Sequence, residues 1–114
     1  MLRVYGIKNC DTVKKSLKWL DKHELAYEFI DVRQSPLQQE TVSHWLKQLP
    51  AESLLNKRST SWRNLSDEQK SLDDSDAIAA LVAEQPTLFK RPLVESDDNI
   101  HCGFNDKVWR DRYL

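Results

Sequence analysis

The sequence predicts an α/β domain built on a mixed sheet, part parallel and part antiparallel, in the order β-α-β, an inserted helical block, then β-β-α. Three observations carry this. A short β-branched and aromatic run at the N-terminus passes into a helical pattern and back into a strand. The middle is rich in helix formers, and two short strand-like pieces near the C-terminus precede a capped helix. With 114 residues, 39% of them hydrophobic and four of them tryptophan, the chain suits one compact domain over 1–114 with a substantial core, but not two.

"LRVYGI" is short, β-branched and aromatic, and runs into a glycine, so it reads as the first strand. From Cys10 onward Val13, Leu17 and Leu20 recur at helical spacing, with Lys14, Lys15, Lys18 and Asp21 on other faces. Cys10 then falls on the inward edge of the first turn. "LAYEFIDV", residues 25–32, carries apolar groups on both faces, as in a strand covered on both sides, and implies a parallel pair joined by a right-handed crossover. "SPLQQETVSHWLKQLP" predicts a helix that opens at Ser35–Pro36 and stops at Pro50, with Val42, Trp45, Leu46 and Leu49 on its apolar face. Ser66 and Ser75 are cap-like residues ahead of helix formers, and Pro86 ends the second of those runs. "RPLVES" and "NIHCGF" read as strands joined by the polar turn "SDDN", and Asn105 caps a last helix, "NDKVWRDRYL". This order is the thioredoxin-like arrangement, whose reactive centre lies where the first strand feeds the first helix.

Composition excludes several functions. Seventeen basic residues against eighteen acidic ones leave no excess to attract nucleic acid or an anionic membrane. The longest apolar run, "AIAALVA", is far too short for a membrane span, and the N-terminus lacks the build of a signal peptide, so a cytoplasmic protein is expected. In that compartment Cys10 and Cys102 are expected as thiols rather than a structural bridge. His23, His44 and His101 show no HxxxH spacing and no CxxC pair exists, which argues against a metal site. Gly6 and Gly103 are the only glycines, too few and too far apart for a P-loop or a dinucleotide fingerprint, so no bound cofactor is expected.

Chemistry therefore concentrates at Cys10. A helix N-terminus offers partial positive charge and unpaired N–H groups, which favour an anion such as a thiolate. Lys8 and the Thr12 hydroxyl are close enough in sequence to assist. Val13 stands where a CxxC motif would carry its second cysteine, so an adduct on Cys10 must be resolved by Cys102, by a second protein or by a small thiol such as glutathione. Two arginine-bearing stretches add anion-binding capacity. "NKRSTSWR" holds Lys57, Arg58 and Arg63, and "FKRPLV" puts Arg91 directly before Pro92. Arginine's planar fork suits carboxylates and oxyanions. Arg63 reads as a solvated surface charge.

Taken together, "YGIKNCDTVKKSLKWL", "NKRSTSWR", "KRPL" and "CGFN" resemble the ArsC/Spx family of thioredoxin-fold proteins, its YffB-like branch in particular, over nearly the whole chain. The resemblance implies a single ArsC-type domain in which Cys10 is the nucleophile and Arg91 binds an anion. Asn9, Thr12 and Arg58 complete the binding set, and Pro92 is the cis-proline facing the cysteine. The family's glutathione-dependent arsenate reductases hold their oxyanion with three arginines. The last of those positions is Gly103 here and the middle one falls on Asn56 or Arg58, which argues against arsenate as substrate. Spx-type regulators, which bind RNA polymerase, often carry a CxxC switch that Val13 removes. The expectation is a monomeric, glutathione-dependent monothiol oxidoreductase acting on glutathione, a small anionic thiol or a protein disulfide. The alternative is an Spx-like regulator docking on RNA polymerase, with the thiol secondary.

Overall fold

Strand β1 (Leu2–Gly6) runs beside β2 (Tyr27–Asp31) in parallel and beside β3 (Leu93–Glu95) antiparallel, and β3 pairs antiparallel with β4 (Ile100–Cys102). The sheet order is β2-β1-β3-β4, the mixed thioredoxin-like sheet that the sequence predicts. The computed structural model describes residues 2–96 and 99–114. Of the expected "SDDN" turn, Asp97 and Asp98 lie outside the described residues, while Ser96 N–H donates to Asn99 O at 2.8 Å.

By packing, the chain divides into two compact units, Met1–Asp31 with Arg91–Leu114, and Val32–Lys90. The first holds the sheet, helix α1 (Asp11–Lys22) and the last helix, α7 (Asp106–Tyr113). Strand alternation puts Val4 and its partner Val94 on one face, where they join Trp19 and Leu20 of α1 and Trp109 of α7 in one buried cluster. Phe104 and Tyr113 pack against it, with Trp19 and Trp109 edge-to-face at a centroid distance of 5.5 Å. Buried indole nitrogens need acceptors. Trp19 Nε1 donates to Asp106 Oδ1 at 2.7 Å and Trp109 Nε1 to Gly103 O at 3.2 Å. His101 of β4 stands edge-on to Trp109 and shares a hydrogen bond with the Tyr113 hydroxyl, pinning the end of α7 to the sheet.

Several expectations need correction. The buried face of α1 is Val13, Ser16, Trp19 and Leu20, whereas Leu17 is half-buried. Ser16 is accepted inside because its hydroxyl donates to Val13 O at 2.7 Å. Strand β2, expected to be covered on both sides, lies at the sheet edge, and none of its residues is fully buried. Gly6 does more than end a strand. A Cβ there would stand 2.8 Å from Val13 Cγ2, so α1 packs directly on the backbone of β1.

The inserted block forms the second unit: α2 (Gln39–Gln48), α3 (Ala51–Leu54), α4 (Thr60–Arg63), α5 (Asp67–Lys70), α6 (Ser75–Glu84) and a 3-10 turn at Pro86–Leu88. Helix α2 starts at Gln39 rather than at Ser35–Pro36. Buried Leu37 and Val42 occupy the positions of a hydrophobic staple around the Gln38 cap, so burial rather than the Ser-Pro signal sets the entry. Trp45 is fully buried and packs on Phe89, with ring centroids 5.6 Å apart. Ser66 caps α5 with a full capping box through Gln69, as its residue type predicts. For α6 the cap is Asp74, whose carboxylate accepts from Ala77 N–H, and Ser75 is the first helical residue. Asn105 caps α7 through Val108 N–H at 3.1 Å. The four-residue helices α3 and α4 escape a periodicity argument because each is barely one turn long.

Candidate active site

The three-residue link from Gly6 to Cys10 delivers the cysteine to the head of α1. Cys10 is the N-cap, with extended backbone (φ −84°, ψ 123°), and its carbonyl accepts from Lys14 N–H at 3.0 Å. Its own N–H donates to Ile7 O at 3.1 Å, closing the turn that aims the residue. The helix proper therefore begins one residue later than the sequence pattern suggests, and Cys10 caps it instead of forming its first turn. Its thiol makes no capping hydrogen bond and is half-buried. Asn9 and Lys8 precede it, and Asp11 and Thr12 follow, all four exposed. Position 13 is fully buried against Gly6, so a residue there is committed to packing.

The strand register assembles the rest. Tyr5 pairs with Leu93 and Leu93 with Cys102, so the end of β1, the start of β3 and the end of β4 lie side by side. One end of the sheet thus gathers Cys10, Arg91–Pro92 and Cys102–Gly103. The Arg91–Pro92 peptide bond is cis, and Gly103 N–H donates to Pro92 O at 2.8 Å. Cys102, a half-buried thiol, projects on the face shared with Leu93, opposite that of His101.

Arg91 is distinctive. Its Nε and Nη1 are buried without a hydrogen-bond partner among the described residues. A guanidinium is always charged and carries five donors, so such burial leaves strong donors unsatisfied and able to receive an anion.

Arg58 belongs to the other unit. It is exposed in the turn before α4, where its backbone N–H donates to Asn56 Oδ1 at 3.2 Å. Ser59 caps α4 through Trp62 N–H, and Lys57 Nζ lies 5.5 Å from the centre of the Trp62 ring. Arg63 is exposed at the end of α4, as its reading as a solvated charge expects. From the sequence Gly103 enters only as the position that lacks the family's third arginine. The signal was available in "CGFN", a glycine just past a strand. Among the described residues no group of three or more His, Cys, Asp or Glu side chains is arranged to hold a metal ion, and no helix is long and apolar enough to cross a membrane.

A family model described as the ArsC family matches residues 5–112. Among solved structures, the YffB protein superposes with a TM-score of 0.92 at 32% identity, each chain covered completely. An arsenate reductase (ArsC) related protein from Brucella melitensis gives a TM-score of 0.78 at 37% identity, with 99% of this chain and 95% of the other covered. The global transcriptional regulator Spx of Streptococcus agalactiae is 28% identical over 93% of this chain and 78% of its own. Because the match takes in the cysteine, the basic stretch and the Arg-Pro start of β3 in one alignment, the chain belongs to the ArsC family.

Proposed function

We propose that this protein is a glutathione-dependent monothiol oxidoreductase in which Cys10 is the nucleophile. The observation that carries the reading is Arg91: a guanidinium with two buried, unpartnered nitrogens, placed by strand register at the sheet end where Cys10 caps α1. Donors left in that state favour a carboxylate or oxyanion ligand. In the proposed cycle the Cys10 thiolate attacks the glutathione sulfur of a mixed disulfide between glutathione and a second thiol, and the second thiol departs. A new S–S bond forms as the old one breaks, and the departing thiolate takes the bonding electron pair. A second glutathione thiolate then attacks the glutathione sulfur of the adduct, releasing oxidised glutathione and returning Cys10 as thiolate. Arg91 holds a carboxylate of the tripeptide, and Asn9 and Thr12 line the approach to the sulfur; Arg58, the remaining residue expected from the sequence to bind an anion, lies in the other unit. Pro92 is assigned to the side of the site facing the cysteine. The protein acts as a cytoplasmic monomer of one ArsC-type domain with no bound cofactor.

A second reading follows from the Spx relative: a regulator that docks on RNA polymerase, with the thiol secondary. Intact mass after incubation with oxidised glutathione separates the two. One glutathione adduct is expected on the wild type and on Cys102→Ser, and none on Cys10→Ser. An unmodified wild type that captures RNA polymerase subunits would replace the enzyme reading with the regulator.

A further inference from the structure

We infer that Gly103 sets the size of the disulfide that Cys10 accepts, its missing side chain leaving room next to Arg91–Pro92 for the carboxylate-bearing peptide portion of a bulky organic disulfide. This rests on the reading of Cys10 as nucleophile. The two glycines of the chain differ in kind. At Gly6 an added Cβ would collide with Val13 at 2.8 Å, which accounts for glycine by packing alone. At Gly103, among the described residues other than its two chain neighbours, no heavy atom lies within 4 Å of where a Cβ would stand, so a side chain there would enter open space. The backbone at 103 is nevertheless held firmly. Its N–H donates to Pro92 O at 2.8 Å and its carbonyl accepts from Trp109 Nε1 at 3.2 Å. The open space therefore has a defined wall, one hydrogen bond away from the residue that follows Arg91, whose Nε and Nη1 are buried and unpartnered. Gly103 and Arg91 are thus linked through Pro92 by one hydrogen bond, which puts room for bulk and donors for a carboxylate on adjoining segments. A tripeptide disulfide uses both, whereas a small neutral disulfide uses neither. With either one the Cys10 thiolate attacks one sulfur, and the other sulfur leaves as a thiolate.

The φ of +84° at Gly103 disfavours most side chains, so the test uses Gly103→Asn, which tolerates that conformation, together with the longer Gly103→Gln. Adduct formation at Cys10 is timed with oxidised glutathione and with hydroxyethyl disulfide, and the melting temperature of each variant is recorded. Both variants should lose about tenfold or more with oxidised glutathione, Gln more than Asn, while changing less than about twofold with hydroxyethyl disulfide. If Gln fails to fold, Asn decides. Parallel loss with both disulfides, or no loss with either, overturns the size role of Gly103 and leaves Cys10 as nucleophile. A wild type that reacts with hydroxyethyl disulfide but not with oxidised glutathione overturns the glutathione reading itself, and the inference with it.

Discussion

Two regions of the sheet-bearing unit treat buried polar groups in opposite ways. In the aromatic cluster between the sheet, α1 and α7, both indole nitrogens find acceptors and His101 is joined to Tyr113. At the end of β3, Arg91 keeps Nε and Nη1 buried without a partner among the described residues. His23 Nε2, in a ring tilted against Trp19, is also buried and without a hydrogen-bond partner among the described residues, but an imidazole nitrogen carries no obligatory proton, whereas every guanidinium nitrogen does. An unsatisfied buried donor costs about 1–3 kcal/mol. The cluster is thus built for stability, and the Arg91 corner carries a polar cost that a bound anion would offset.

The largest effect should come from breaking the cluster. Trp109 is 1% exposed and meets Trp19, Phe104, His101 and Tyr113. Trp109→Ala should destabilise by about 3–5 kcal/mol in urea unfolding. The contrast would collapse if that loss were under about 1 kcal/mol.

Next comes the opposite corner. Arg91→Ala should slow adduct formation with oxidised glutathione by about ten- to a hundredfold, the equivalent of a charged hydrogen bond of about 1.5–3 kcal/mol. Arg91→Lys should recover only part, because it keeps charge and loses the fork. The melting temperature should not fall, because Arg91→Ala also removes two unsatisfied buried donors. An unfolded Arg91→Ala whose surviving fraction reacted normally would make Arg91 structural and erase the difference between the regions.

A smaller effect lies in the pH dependence of the cluster. Burial, helped by the nearby Arg112 charge, pushes the His101 imidazole down to about 4. An unfolded histidine titrates near 6.5. Between those values the unfolded chain binds a proton that the folded ring refuses, so stability is full above about pH 6.5 and is lost as pH falls toward about 4. Because the ring is only partly buried and solvent screens it, the loss should be on the order of 1–2 kcal/mol. Comparing wild type with His101→Phe at pH 7 and pH 5 isolates it: the variant should show the flatter profile, and identical profiles would remove His101 as the cause.

The smallest effect concerns the cap of α7. Asn105→Ala removes the acceptor for Val108 N–H and should cost about 1 kcal/mol, with Cys10 reactivity unchanged. A drop in reactivity as large as that of Arg91→Ala would show that the two regions are coupled.

Local chemistry was legible in the sequence by itself. Period-2 and period-3.6 patterns placed β1, α1, β2, β3, β4 and α7 in order, and Ser66 and Asn105 announced their helices because capping is a contact over three residues. The position of Cys10 at a strand-to-helix junction was equally local, so the candidate nucleophile could be named from the chain alone. Features that depend on residues far apart were decided only by the tertiary structure. The start of α2 follows the burial of Leu37 and Val42, the edge position of β2 follows strand order, and the opposite reasons for Gly6 and Gly103 appear only once α1 lies on β1 and β4 lies beside β3. The state of Arg91 belongs to the same class. Sequence supplies the guanidinium, but whether its nitrogens are buried and who answers them is settled by which strands pair, since hydrogen bonding is short-ranged and the chain must fold before donors and acceptors meet.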